Sequence, residues 1–231
     1  MKRTLSRMLV ASGVLLGTCA ISVSQAAEVN AKPDAAAGEA LYINGDMSRG
    51  VIACVSCHGD AGNSVIPINP NTAGQPYEYL VKQMLDFKAQ GDKPPLRNGF
   101  DGAPSLMAPM AAPLTDEDIR NVSLYLSMQK LNTEIAPTAT NEETMERGMS
   151  IWRAGIAARG VPACAGCHGP DGAGVPGKYP RIAGQFPGYI ADQLRLFRSG
   201  DRNNSAEMFE IADRMSDRDI AAVADYAAGL R

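Results

Sequence analysis

Histidine is the scarcest chemistry-bearing residue of this chain. Its 231 residues include two histidines, His58 and His168, and one tryptophan. A structural zinc ion takes four ligands and usually draws them from two separate Cys or His pairs. Because each histidine directly follows its own cysteine pair, no other histidine remains to complete a zinc site in either place.

Long apolar runs are also scarce. The one candidate lies within residues 1–26, where three basic residues precede the apolar run MLVASGVLLGTCAI and small residues follow it. This layout is typical of a secretory signal peptide, and the run is too short to span a bilayer. We predict cleavage after Ala26. A lipoprotein cut before Cys19 is the alternative, although Thr18 fits it poorly. The sequence predicts a soluble periplasmic protein without a transmembrane span.

Basic residues are outnumbered. The chain has 22 Lys and Arg against 25 Asp and Glu, and the predicted signal peptide removes three bases, which leaves 19 against 25, a net charge of −6. This balance argues against nucleic acid and anionic membrane surfaces as partners, and it fits a basic or dipolar protein partner.

The sequence contains an internal repeat, with matching segments 110 residues apart. RGVIACVSCHG at 49–59 matches RGVPACAGCHG at 159–169, and NPNTAGQPYEYLVKQMLDF at 69–87 matches YPRIAGQFPGYIADQLRLF at 179–197. An insertion, DKPPLRNGFDGAP, lengthens the first copy. Two copies of one unit predict two similar domains.

We place these domains at residues 27–135 and 136–231, with a linker around 132–142. Each copy has helical periodicity in three segments and no alternating strand pattern, so the predicted fold class is all-α. The third helix of each copy opens with Thr115 or Ser216 as N-cap, followed by acidic residues. Three short helices in a unit of about 95 residues bury little core, so a bulky central group would help.

The four cysteines beyond the signal peptide form two C-x-x-C-H motifs. Two disulfides are the default for an exported protein, and a thioredoxin-like redox pair would need a βαβ context, which is absent. Covalent haem explains more, because two thioethers hold the porphyrin and the adjacent histidine reaches the iron. Two such motifs in matched contexts predict two covalently attached haem c groups. The predicted attachment residues are Cys54, Cys57, Cys164 and Cys167, and the predicted axial ligands are His58 and His168.

A proline follows each histidine at the same spacing. Pro70 lies 12 residues after His58, and Pro180 lies 12 residues after His168. A loop that brings a carbonyl to the free ring N–H of a ligand histidine fixes its tautomer and strengthens its donation to the metal. We predict this role for both prolines.

At CVSCHG, CAGCHG, PRIAGQ and SDRDIAAVADY, the chain resembles a doubled class I c-type cytochrome, specifically the dihaem cytochrome c4 family. The resemblance implies two cytochrome c domains related by pseudo-twofold symmetry, with haems facing each other across the interface. It further implies an electron carrier, not an enzyme, working between redox proteins. A quinol-oxidising complex or a dehydrogenase would be the donor and a terminal oxidase the acceptor, and the resemblance allows peripheral membrane association.

Two other functions compete with the carrier. A dihaem peroxidase needs an iron with an open or displaceable ligand, and with two histidines in all, bis-His ligation of either haem within one chain is impossible. A dihaem subunit of a periplasmic dehydrogenase, of the flavocytochrome c sulfide dehydrogenase type, would have a similar sequence and stays open.

With no histidine to spare, the sixth position of each iron is left to methionine, lysine, water or no ligand. We predict methionine, because His/Met ligation suits a high-potential carrier. Met107 lies eight residues before Thr115, and Met208 lies eight residues before Ser216, so the repeat selects these two. Met110 instead matches Ile211, and we predict that it fills the core.

We expect the mature chain to carry two haems. Mass spectrometry of the denatured protein should give the mass of the chain from Ala27 plus two haem masses, because thioether bonds survive denaturation. A mass without haem, or with zinc, would contradict the assignment.

Overall fold

Helices provide the regular structure of residues 32–231, which this computed structural model describes. The helices are α1 Ala35–Asn44, α2 Val55–His58, α3 Tyr77–Asp86, α4 Met107–Ala111, α5 Asp116–Ser127, α6 Glu142–Ala154, α7 Ala165–His168, α8 Pro187–Ser199, α9 Ala206–Asp213 and α10 Asp217–Ala228. Single turns of 3-10 helix occur at Asp60–Gly62, Phe100–Gly102 and Ala157–Arg159. Over these residues β-structure is limited to isolated bridges. The all-α prediction is confirmed. The predicted signal peptide, 1–26, lies outside the described residues.

The first half of the structure, residues 32–135, holds α1 to α5, and the second half, residues 136–231, repeats the order with α6 to α10. The predicted three helices per copy correspond to α1, α3 and α5 and to α6, α8 and α10. Each half adds two short helices, one at the cysteine pair and one before the last helix. Elements of four to eight residues cover about two turns or less, too few for a hydrophobic period to show in the sequence.

The first and last helices of each half cross at a glycine. A Cβ atom added to Gly38 of α1 would overlap the backbone carbonyl of Asn121 in α5. In the same way, a Cβ on Gly148 of α6 would overlap the backbone carbonyl of Ala222 in α10. The missing side chain therefore sets the distance between these helices, because any other residue would push the backbones apart.

The last helix of each half begins with a capping box, as the N-cap residues predict. Thr115 exchanges hydrogen bonds with Asp118, and Ser216 does the same with Asp219. Burial raises the pKa of Asp219, but hydrogen bonds from Ser216 and two arginines outweigh it and hold that pKa well below its usual range. These bonds fix where α5 and α10 start.

The hydrophobic cores are small, as the length of each copy suggests. The second half has one core built around Trp152 and Ile151. The first half has two smaller clusters, one around Tyr42 and one around Ile119. Within residues 32–231, no helix combines the length and the apolar character that crossing a bilayer requires.

The insertion of the first copy reaches the second half. Asn98 donates its backbone N–H to the carbonyl of Asp201 at 2.9 Å, and Asn203 donates to the carbonyl of Leu96 at 2.8 Å. Arg97 and Arg202, both 6% exposed, form an antiparallel bridge at this place. The insertion therefore belongs to the junction between the halves.

The two buried arginines occupy equivalent positions. Arg97 lies over the ring of Phe87 and Arg202 over that of Phe197, each 4.2 Å from the ring centroid. Each guanidinium also donates hydrogen bonds across the junction. Arg97 bonds Tyr189 and Gln193, and Arg202 bonds Tyr79 and Gln83. Since position 83 matches 193 and position 79 matches 189, the contacts are reciprocal, as pseudo-twofold symmetry requires.

The close helix crossing predicts that adding a single methyl group at Gly148 destabilises the fold. Gly148→Ala should lower the free energy of unfolding by about 1–3 kcal/mol, because the new Cβ forces α6 away from α10. Gly188→Ala is the matched control, since Gly188 lies in α8 with open space around its Cβ position. It should leave stability unchanged or raise it by up to about 1 kcal/mol. Urea unfolding of both variants measures this, and equal effects would contradict the close-crossing explanation.

Candidate functional site

Each half carries its predicted cofactor residues on a single helical turn. In the first half Cys54 is the N-cap of α2, and Cys57 and His58 lie within that helix. In the second half α7 repeats the arrangement. There Cys164 is the N-cap, and Cys167 and His168 lie within the helix. No disulfide joins these four cysteines. A turn of helix brings the two thiols and the imidazole of each motif together.

Each histidine ring is held through one nitrogen by the predicted proline. His58 Nδ1 lies 3.0 Å from the carbonyl oxygen of Pro70, and His168 Nδ1 lies 3.0 Å from that of Pro180. A carbonyl can only accept, so Nδ1 carries the proton and Nε2 keeps its lone pair. The contact is present in both halves. It gives each imidazole the tautomer that a metal-ligating histidine uses.

Burial also sets the charge of the two rings. It lowers the pKa of His58 and of His168, and the hydrogen bond to the proline carbonyl opposes that effect without cancelling it. Both imidazoles are therefore neutral at neutral pH. A neutral ring with a free Nε2 lone pair is able to bind a metal ion.

The thiols suit thioether attachment better than a redox or zinc site. Burial raises the pKa of Cys54 and of Cys164 to about 11, so thiolate is scarce at neutral pH. Thiol exchange and zinc binding both need the thiolate. Among residues 32–231, no group of three or more His, Cys, Asp and Glu side chains could hold a metal ion by itself. One imidazole and two thiols per half match the donor set of covalent haem.

An aromatic residue of the first helix supports the segment after each motif. Tyr42, 1% exposed, donates to the carbonyl of Gly59 at 2.7 Å and accepts from Gly62 N–H at 3.1 Å. Trp152 occupies the equivalent position and donates its indole N–H to the carbonyl of Pro170 at 3.1 Å. The halves differ at Tyr179, whose ring lies 5.9 Å from that of His168 and whose counterpart in the first half is Asn69.

The predicted methionine ligands occupy matching places. Met107 begins α4 and Met208 lies in α9, both half-buried, and each donates its backbone N–H to a serine hydroxyl at 3.3 Å. The prediction that Met110 fills the core is wrong, since it is 37% exposed. Helix α4 buries Ala111 instead. Met110 is its neighbour in the sequence and therefore points about 100° away from it. Met107 and Met208 remain predicted ligands.

Two glutamines that no sequence motif predicts cross between the halves. Gln75 accepts the backbone N–H of Arg181 at 3.0 Å and donates to the carbonyl of the same residue at 2.8 Å. Gln185 makes the same pair of bonds with Asn71, both at 2.9 Å. Both glutamines are buried, 5% and 6% exposed. The available signal was the tripeptide AGQ, which stands in both copies.

Comparison with known proteins agrees with this arrangement. A family model for cytochrome c matches the chain twice, over residues 35–130 and 146–230. Cytochrome c4 of Azotobacter vinelandii is 40% identical over 201 residues, which cover 84% of this chain and 90% of the relative. The reduced recombinant cytochrome c4 of Pseudomonas stutzeri superposes with a TM-score of 0.70 at 32% identity, covering 87% of this chain and 100% of that one.

A relative with a different name is similar over an even larger share of the chain. It is the thiosulfate dehydrogenase electron acceptor of Stutzerimonas stutzeri, 32% identical over 219 residues, which cover 94% of this chain and 94% of the relative. The similarity therefore extends to a protein named for the enzyme whose electrons it accepts.

The methionine assignment predicts a spectroscopic change at one haem at a time. A thioether ligand gives a weak charge-transfer band at the red end of the oxidised spectrum, and imidazole in its place abolishes the band and lowers the potential. Met107→His and Met208→His should each do this at one haem and leave the other nearly unchanged. Met110→His is the control. If both bands survive the two substitutions, the assignment is wrong and Met110 is the next candidate.

Proposed function

The chain belongs to the cytochrome c family, and we propose from this that it is a periplasmic dihaem electron carrier that passes electrons toward a terminal oxidase. Its cofactors are two covalently attached haem c groups. The observation that carries the proposal is the repeated C-x-x-C-H turn whose histidine donates Nδ1–H to a proline carbonyl. That turn supplies the attachment points and one axial ligand in each half.

Each half contributes a fixed set of residues to its cofactor. We assign Cys54, Cys57 and His58 to the first haem. We assign Cys164, Cys167 and His168 to the second. Met107 and Met208 are the proposed sixth ligands. When bound, haem iron supplies reversible one-electron transfer between its ferrous and ferric states.

The protein's own part is to hold these ligands still. Pro70 and Pro180 fix the tautomer and the ring orientation of the histidines, and burial keeps both rings neutral. Tyr42 and Trp152 tie the following segments to the first helices. Ligands held in this way favour electron transfer, because little has to move when the iron changes its oxidation state. A sixth protein ligand also opposes catalysis, because it blocks access of substrates to the iron.

A second function is favoured by one comparison. The chain resembles an electron acceptor of thiosulfate dehydrogenase along 94% of its length. A periplasmic dehydrogenase is therefore a candidate donor, and a permanent dihaem subunit of such an enzyme is the alternative to a free carrier. The two differ in whether the protein leaves its donor between turnovers.

The native mass of the protein separates these functions. We expect the periplasmic protein to run at the mass of a single chain with two haems. Its reduced form should be reoxidised by membranes that contain a terminal oxidase, with oxygen uptake. Stable copurification with a dehydrogenase subunit would favour the alternative, and peroxide turnover by the isolated chain would overturn the carrier proposal.

Charge asymmetry predicts how the carrier meets a basic partner. Residues 27–135 hold 13 acids and 8 bases, net −5, and residues 136–231 hold 12 acids and 11 bases, net −1. If these are the two domains, as we propose, a basic partner should prefer the first. Stopped-flow rates should then fall as ionic strength rises. Rates that do not depend on salt would contradict electrostatic steering.

A further inference from the structure

The two glutamines that cross the junction act on a particular peptide group. The carbonyl that holds His58 belongs to Pro70, and the N–H of the same peptide group belongs to Asn71. Gln185 of the second half accepts that N–H at 2.9 Å. One peptide group of the first half therefore binds its own histidine at one end and a side chain of the other half at the other end.

The second half has the same series of hydrogen bonds, with the glutamine now supplied by the first half. His168 donates Nδ1–H to the carbonyl of Pro180 at 3.0 Å, and the N–H of that peptide group belongs to Arg181. Gln75 of the first half accepts it at 3.0 Å. A single peptide group thus links each glutamine to the histidine of the opposite half: Gln185 to His58, and Gln75 to His168.

Such a chain strengthens the bond at its far end. A hydrogen bond accepted from a peptide N–H polarises the peptide and makes its carbonyl a stronger acceptor, especially where the local dielectric is low. Asn71 is 3% exposed and both glutamines are comparably buried, so water hardly screens the bonds between Gln185 and Asn71. Arg181 is half-buried, so its bonds to Gln75 are more open to water. A stronger carbonyl acceptor draws the Nδ1 proton and makes the imidazole a better donor at Nε2.

The return bond of each glutamine keeps its oxygen in place. Gln185 donates Nε2–H to the carbonyl of Asn71 at 2.9 Å, and Gln75 donates to the carbonyl of Arg181 at 2.8 Å. With both ends of the amide engaged, the side chain cannot turn away without leaving a buried polar group unpaired. The geometry is therefore that of a fixed acceptor aimed at one peptide N–H.

We infer that Gln185 is a positioning residue for His58 and that Gln75 is a positioning residue for His168, so that each half tunes the iron ligand of the other. The inference rests on the proposed function, in which both histidines bind haem iron. A better imidazole donor stabilises ferric iron, so each glutamine lowers the reduction potential of the haem in the opposite half. The junction then couples the two redox centres through hydrogen bonds as well as through space.

The test is a crossed pair of substitutions in the holoprotein. Gln185→Ala should raise the potential of the first-half haem and leave that of the second nearly unchanged. Gln75→Ala should do the reverse. Redox titration gives the two potentials, and NMR contacts between each haem and the cysteine pair that binds it assign them to the halves. The Nδ1–H resonance of the opposite histidine should shift in the same variants.

Two further variants separate tuning from general damage. Gln185→Glu keeps an acceptor for the Asn71 N–H and loses the return donor, so the first-half potential should not rise. Gln129→Ala is the matched control, because Gln129 donates to the carbonyl of Tyr125 within its own half. It should move neither potential.

Each outcome decides the inference. Unchanged potentials in both alanine variants overturn it, and so does a shift of both potentials together, which indicates disturbance of the whole junction. If Gln185→Ala fails to take up haem, Gln75→Ala and Gln185→Glu carry the same test. A wild-type protein with fewer than two haems would instead contradict the proposed function, so the two failures are distinguishable.

Discussion

The hydrogen bond from each histidine Nδ1 to a proline carbonyl is the constraint on which the rest of the structure depends. It sets the tautomer, and so decides which nitrogen can reach a metal. It also decides where the loop after the motif must run, because the carbonyl has to return to the ring 12 residues later in both halves. Tyr42 and Trp152 support that course, because each binds the segment that follows its motif to the first helix of its half.

Much of this follows from local sequence. The C-x-x-C-H motifs, the equal spacing to Pro70 and Pro180, and the helix caps at Thr115 and Ser216 each depend on residues close together in the chain. The repeat supports these predictions, because a residue with a role in the duplicated unit is expected at the equivalent position of both copies. These features predicted the helical class, the two similar halves and the histidine–carbonyl contact.

What sequence reasoning missed lies where the halves meet. Gln75 and Gln185 have partners more than 100 residues away, and neither motif nor periodicity points across such a distance. Arg97 was assigned to an insertion and not compared with Arg202, because ungapped comparison at the offset of 110 pairs Arg202 with Asp92. Met110 was expected to be buried because its counterpart Ile211 is apolar, yet a helix of a single turn has room to bury few side chains.

The stacked arginines show which part of the duplicated unit was free to change. Ten positions separate Phe87 from Arg97 and five separate Phe197 from Arg202, yet both guanidinium groups lie 4.2 Å from their rings. Closing a loop twice as long costs only about 0.6 kcal/mol. Evolution could therefore lengthen the chain between these two points at little thermodynamic expense, provided that the arginine returned to its ring. The copies diverged in length between the phenylalanine and the arginine, yet each arginine still reaches both its own ring and the other half.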